Sequence, residues 1–164
     1  MKPSTERTKC HMSDATHAIW AIALAGTASL IAAAASCADL EVSVKGLRSA
    51  EGKVVVAVHQ RVADTSFPDG EGVIAGQSSL ANPEGVTVVF ADLPPGEYAV
   101  AAFHDTDGDL ELDRNILQIP IEGYGFSNGA VGFRGPPSFD DAAVAVGSDE
   151  DRITVVVSIA YPGF

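Results

Sequence analysis

The chain has 164 residues, with ten Lys and Arg against 22 Asp and Glu, a formal charge of −12 at pH 7. That balance excludes a nucleic-acid or anionic-lipid surface, which needs a basic patch to neutralise phosphate. The two cysteines, Cys10 and Cys37, both lie near the start, so residues 39–164 can hold no disulfide or thiolate metal site of their own and must stand on an apolar core.

Lys2, Arg7 and Lys9 give the chain a basic start, broken by Glu6 and Asp14. An uncharged apolar run from Ala18 to Ala35 follows, with Ile19, Trp20, Ile22, Leu24, Leu30 and Ile31 as its bulk. Ala34-Ala35-Ser36-Cys37-Ala38 closes it with small residues. Basic region, apolar region and small-residue cleavage site are the layout of a secretory signal peptide. We expect residues 1–38 to be removed and the mature chain to begin at Asp39, in the periplasm or outside the cell. Two alternatives stand. A lipid on Cys37 would make the protein an anchored lipoprotein, although Ala34 occupies a position where a larger aliphatic is usual. The run, about 18 residues long, is also near the lower limit for an uncleaved membrane helix. From Asp39 onward seven Lys and Arg face 20 Asp and Glu, a net charge of −13.

The mature chain reads as short strands and turns, without a convincing helix. Leu40, Val42 and Val44 alternate with Glu41, Ser43 and Lys45, a half-buried strand that Gly46 ends. Lys53–His59 is almost continuously apolar and β-branched, the composition of a central strand. Residues 61–72 are loop-like, with Pro68-Asp69-Gly70 as a turn signal, and Val73–Ser79 fits an edge strand. Asn82-Pro83-Glu84-Gly85 is a turn, and Val86, Val88 and Phe90 alternate with Thr87 and Val89. Leu93-Pro94-Pro95-Gly96 turns the chain into a strand over 97–104. Gly and Pro dominate 114–141. Ala142–Val146 is a strand of small residues, and Ile153, Val155, Val157 and Ile159 alternate with Thr154, Val156 and Ser158 in a strong last strand. About seven strands at this spacing, with connections too short for crossover helices, predict an all-β, largely antiparallel sandwich of immunoglobulin-like or prealbumin-like type, with 39–164 as one domain.

The segment Phe90–Val100 is similar to the strand–turn–strand of prealbumin-like and adhesin modules, in which a Leu-Pro-Pro-Gly turn leads into a tyrosine-bearing strand. Proline presets such a turn, glycine permits positive φ, and the tyrosine packs over the corner. A wider match runs through Gly46-Leu47-Arg48-Ser49, Pro94-Pro95-Gly96-Glu97-Tyr98, His104-Asp105 with the acidic stretch ending Leu112-Asp113, Gly123-Tyr124-Gly125-Phe126-Ser127-Asn128 and Gly135–Ala142. In that order these motifs resemble the bacterial exported family known as domain of unknown function 2141, over residues 40–160. The resemblance implies an exported all-β domain and no established activity.

His104–Asp113 carries the clearest chemistry. Carboxylates recur at Asp105, Asp107, Asp109, Glu111 and Asp113, directly after an apolar strand. Acids packed this densely repel one another unless a cation lies among them, and calcium takes six to eight oxygens. Against an EF-hand loop, Asp105, Asp107, Asp109 and Asp113 fill positions one, three, five and nine. Position six is Leu110 instead of glycine, and position twelve is Ile116, which offers no oxygen. A looser, weak calcium loop is therefore expected, and a solvated turn of ordinary Asp and Gly residues is its plain alternative.

His59 and His104 each end an apolar strand. If they met, they and Asp105 would form a two-histidine, one-carboxylate set suited to zinc or iron, and a metal-dependent enzyme would follow. Otherwise His104 donates to a loop carbonyl or carboxylate and pins the acidic loop. Tyr124, Phe126, Arg134 and Phe139 populate the Gly/Pro-rich stretch 120–141. They form either a platform for a small ligand or envelope partner, with Arg134 receiving an anion, or a cap over one end of the sandwich, with Arg134 paired to Asp140 or Asp141. No nucleophile elbow and no phosphate-cradling glycine loop is present. The expected protein is a non-catalytic exported module, calcium its one candidate cofactor, with no membrane span after processing. A purely structural envelope protein is a further alternative.

Overall fold

Alternation along each strand decides which side chains enter the core. The computed structural model describes residues 37–62, 67–68, 72–132, 135–148 and 151–162; the expected leader up to Ser36, and Arg134 of the ligand loop, lie outside them. Among the described residues, eight strands form two sheets: β1 (Ala38–Lys45), β2 (Lys53–Gln60), β3 (Val73–Leu80), β4 (Val86–Leu93), β5 (Gly96–Asp105), β6 (Gly123–Phe126), β7 (Ala143–Val146) and β8 (Arg152–Ser158). One sheet has the order β4-β1-β8. The other runs β3-β2-β5-β6, with β7 continuing the β6 edge of β5. The fold is an all-β sandwich, as the alternation predicts.

Val42, Val44, Val54, Val56, Val58, Val100 and Val157 are fully buried between the sheets, together with Leu40. Each such side chain removed from water stabilises the fold by about 1.5–3 kcal/mol. β3 is indeed an edge strand, and most of its side chains are exposed. All pairings are antiparallel except β1 with β8, which run parallel from Asp39 opposite Arg152 to Lys45 opposite Ser158. A parallel pair needs a long connection, and here the whole intervening chain supplies it. Arg152 fastens the outer face of that pair, reaching Asp39 at 3.2 Å and Glu41 at 3.1 Å.

β6 falls where a loop was expected. Its Gly-Tyr-Gly-Phe sequence is a strand because the glycines face inward against the end of β8. A Cβ on Gly125 would stand 2.2 Å from the Ser158 carbonyl oxygen, and one on Gly123 would stand 2.5 Å from the Tyr161 ring. Tyr124 exchanges both backbone hydrogen bonds with Ala160 at 2.9 Å, so the end of the chain ties the two sheets together.

The turn before β5 closes as expected, with one correction. Tyr98 is buried, and its hydroxyl donates to the Pro94 carbonyl at 2.8 Å. Burial raises its pKa above the ordinary tyrosine value. The positive φ falls on Asp92, at 57°, and not on Gly96. Gly96 instead lies beneath the Tyr98 ring, whose atoms a Cβ would meet at 3.5 Å. The helix-free expectation needs a small amendment: Phe139–Ala142 forms one turn of helix, α1, closed by a capping box between Ser138 and Asp141.

An acidic rim and an apolar sheet face

The acidic loop begins where β5 leaves the sandwich. Asp105 ends that strand, and its side chain is fully buried. Its two oxygens accept from Gly108 N at 2.7 Å and from Leu110 N at 3.1 Å, folding the loop back over the carboxylate. Asp107 and Asp109 continue the pattern, accepting from Asp109 N at 3.3 Å and Glu111 N at 2.8 Å. Leu110 adopts φ 67° itself, so the missing glycine at position six does not prevent the sharp turn. One oxygen each of Asp105, Asp107 and Asp109 lie within 4.8 Å of one another.

Glu122, an acid outside the 105–113 run, holds the same loop at both its ends. Glu122 precedes β6 and is only 6% exposed. Its Oε1 accepts from the amide and hydroxyl of Thr106 at 2.8 and 3.0 Å, and its Oε2 accepts from Asp113 N at 3.2 Å. The Asp113 carboxyl is held above the ordinary carboxylate range, first by desolvation and then by the charges of Asp107, Glu122, Asp109 and Asp105. Five acids thus share one rim. Glu111 is exposed and is not among the charges that perturb Asp113.

His59 and His104 do not meet. His59 lies opposite Ala99 on β5, five residues from His104, roughly 16 Å along a strand. Cross-strand partners share a face: His104 lies opposite core-facing Val54, and His59 follows core-facing Val58 onto the other face. His104 is buried. Its Nε2 donates to the Glu51 carbonyl at 2.8 Å, which leaves Nδ1 to accept from the Tyr161 hydroxyl at 2.6 Å. That hydroxyl in turn accepts from Arg48 N at 3.1 Å. His59 packs edge-on against Phe67, with ring centroids 5.0 Å apart. The two-histidine, one-carboxylate set with Asp105 is therefore not assembled, because strand register separates its members.

Tyr124, Phe126 and Phe139 gather on the outer face of the five-stranded sheet, not over an end of the sandwich. Phe126 and Phe139 both pack edge-on to Phe67, at 5.5 and 6.1 Å, above Ala99 and Ala142 in a second small core. Asp140 takes Arg61 as its ion partner, and Arg61 also reaches Glu97 at 3.3 Å and lies over the Phe139 ring. Asp141 belongs to the capping box. No helix among the described residues is long and apolar enough to cross a membrane.

The molecule is therefore a two-sheet β-sandwich with an acidic rim at one end and an aromatic outer face. Residues 42–154 match the model of the bacterial family described as uncharacterized protein conserved in bacteria (DUF2141), and the chain belongs to that family. No curated protein and no solved structure matches it.

Proposed function

We propose that the protein acts, after export, as a non-catalytic β-sandwich module that holds calcium loosely in the 105–113 loop and contacts a small ligand or envelope partner through 120–141. The observation that carries the cation half is the convergence of Asp105, Asp107 and Asp109 oxygens within 4.8 Å. Calcium binds oxygen at 2.3–2.6 Å, so two ligands on opposite sides of one ion lie roughly 5 Å apart. Asp113 and Glu122 stand close enough to add to the same field. Ile116 leaves position twelve of the loop without an oxygen, and buried Glu122, whose oxygens accept from Thr106 and Asp113, braces the loop from outside it. Weak affinity, in the sub-millimolar to millimolar range of extracellular modules, follows from an incomplete and partly exposed ligand set.

Export rests on the layout of residues 1–38, and mass spectrometry of the mature amino terminus tests it. A chain starting at Asp39 supports signal-peptide removal, and a lipid on Cys37 supports an anchored form. A purely structural reading draws on the amide donors that already satisfy both Asp105 oxygens, since they hold the loop without an ion. Calorimetry of the purified protein in calcium and in chelator separates the two readings. A higher Tm in calcium, lost in Asp107→Ala and Asp109→Ala, supports the cation site; equal Tm values remove it.

A further inference from the structure

The β3 edge of the five-stranded sheet is open. Ala81 N donates to the Gly52 carbonyl at 3.3 Å, in the register that sets Leu80 opposite Lys53. Backbone groups alternate in direction along a strand. Ala75, Gln77 and Ser79 therefore bond to β2, and Gly76, Ser78 and Leu80 turn their N–H and C=O groups away from it. Among the described residues no strand lies beyond them and no backbone group bonds to them, and all three are exposed. The neighbouring edge strand β4 differs, because Gln77 Nε2 donates to its Val89 carbonyl at 2.7 Å.

Natural edges are guarded by charges, proline or bulges. The eight residues of β3 include no charge and no proline. Its one bulge lies at its start, between the pairs Val58–Ala75 and His59–Val73, so Ala75–Leu80 runs straight. Gly76 sits in this straight part without a reason inside the molecule. Its φ lies outside the left-handed region, and a Cβ there would meet nothing nearer than the Val56 carbonyl oxygen at 3.9 Å. Glycine weakens a strand, and within one it often marks the close approach of another backbone. On the outer face Gly76 pairs with Ala57, and these two small residues leave a notch at the edge. Leu80 projects from the same face, 76% exposed.

We propose that the protein pairs with a second copy of itself through β3, antiparallel about a two-fold axis at Ser78. Ser78 then faces its own copy, and Gly76 of each molecule faces Leu80 of the other. The exposed leucine falls over the notch at Gly76 and Ala57, and the fit holds in both directions. The outward N–H and C=O groups of all three residues gain partners. Charge favours this surface over any other for self-association. Residues 39–164 carry −13, so two copies repel, and an edge without a charge is where they approach at least cost. A two-fold pairing uses both edges, so assembly stops at two. One strand pair buries less than the roughly 1,600 Å² of a standard interface, which makes the dimer a weak one.

Sedimentation equilibrium of the purified protein, from about 1 μM to about 1 mM in about 0.15 M salt, tests the pairing. The wild type should pass from monomer to dimer across that range and go no further. Gly76→Val fills the notch that receives the leucine and should weaken the dimer about tenfold or more. Its Tm at the lowest concentration should not fall, since nothing within one molecule opposes the new side chain. Ser78→Pro removes an outward N–H and spares the ladder to β2, so it should leave a folded monomer. A wild type that stays monomeric at the highest concentration overturns the proposal. A dimer unchanged in both variants does the same, and so does association that continues past two.

Discussion

Glu122 accepts from both the amide and the hydroxyl of Thr106, at 2.8 and 3.0 Å, and so joins the entry to β6 to the start of the acidic loop. The same carboxylate takes Asp113 N at 3.2 Å, so one buried side chain spans the loop from near its beginning to its end. Glu122→Ala leaves two amides without their acceptor. The expected loss is roughly 1–3 kcal/mol for each donor that water does not recover, seen as a fall in the urea midpoint. If Glu122 also serves the cation, Glu122→Gln should lose the calcium-dependent rise in Tm while keeping most of the stability measured in chelator. A calcium response unchanged in Glu122→Gln would place Glu122 in a purely structural role.

Asp113 gives a pH signature. Its pKa is raised from 3.8 in the folded state, so folding favours the protonated form. The stability tied to that proton is fully present below the unfolded value and is lost as pH rises through the folded value. In chelator, Asp113→Asn should therefore be more stable than the wild type at neutral pH, with the difference vanishing as both are acidified. In calcium the order should reverse, because a cation favours the ionised carboxylate. Melting curves of both proteins across the carboxylate range, with and without calcium, check each sign.

Gly52 holds the loop between β1 and β2 against the root of the acidic segment. Its φ is +68°, and a Cβ there would stand 2.0 Å from the Asp105 carbonyl oxygen and 2.7 Å from Thr106 Cα. Backbone strain alone costs about 1–3 kcal/mol at such a position, and the overlap with rigid backbone adds to it. Gly52→Ala should lower the melting temperature more than Gly108→Ala. Gly108 also has positive φ, but a Cβ there meets nothing within 4 Å. Comparable losses in the two variants would show that strain, and not the close approach, dominates.

The strands whose faces differ in polarity were legible from their residues: the alternation over 40–45, 86–90 and 153–159 marks β1, β4 and β8 directly. The Pro94–Tyr98 corner was legible too, because both partners lie within five residues of each other. What stayed hidden depends on pairing between distant segments. The glycines of β6 resemble loop residues until the backbone of Ser158 is seen pressed against Gly125. Glu122 carries no local signal, being one acid outside the run of five. Had 123–126 been taken as a strand opposite His104, Glu122 would have fallen beside Asp105. The separation of His59 from His104 likewise follows from register, which two isolated strand ends do not reveal.

Tyr161 tests the polar chain that runs from Arg48 through His104 to Glu51. Its hydroxyl donates to His104 Nδ1 at 2.6 Å and accepts from Arg48 N at 3.1 Å, while the Arg48 guanidinium lies 4.1 Å above its ring. His104 Nε2 is committed to the Glu51 carbonyl, which can only accept, so Nδ1 has no proton of its own in the neutral ring. Tyr161→Phe keeps the ring and its packing but leaves that buried nitrogen without a donor, at a cost of about 1–3 kcal/mol. His104→Leu in the same background removes both imidazole bonds, so a double-mutant cycle between the two positions isolates the shared contact. A coupling energy near zero would mean that the Tyr161 hydroxyl acts through Arg48 alone. A coupling on the order of 1 kcal/mol or more would assign to this hydrogen bond the task of holding the end of the chain across β6 and next to the acidic rim.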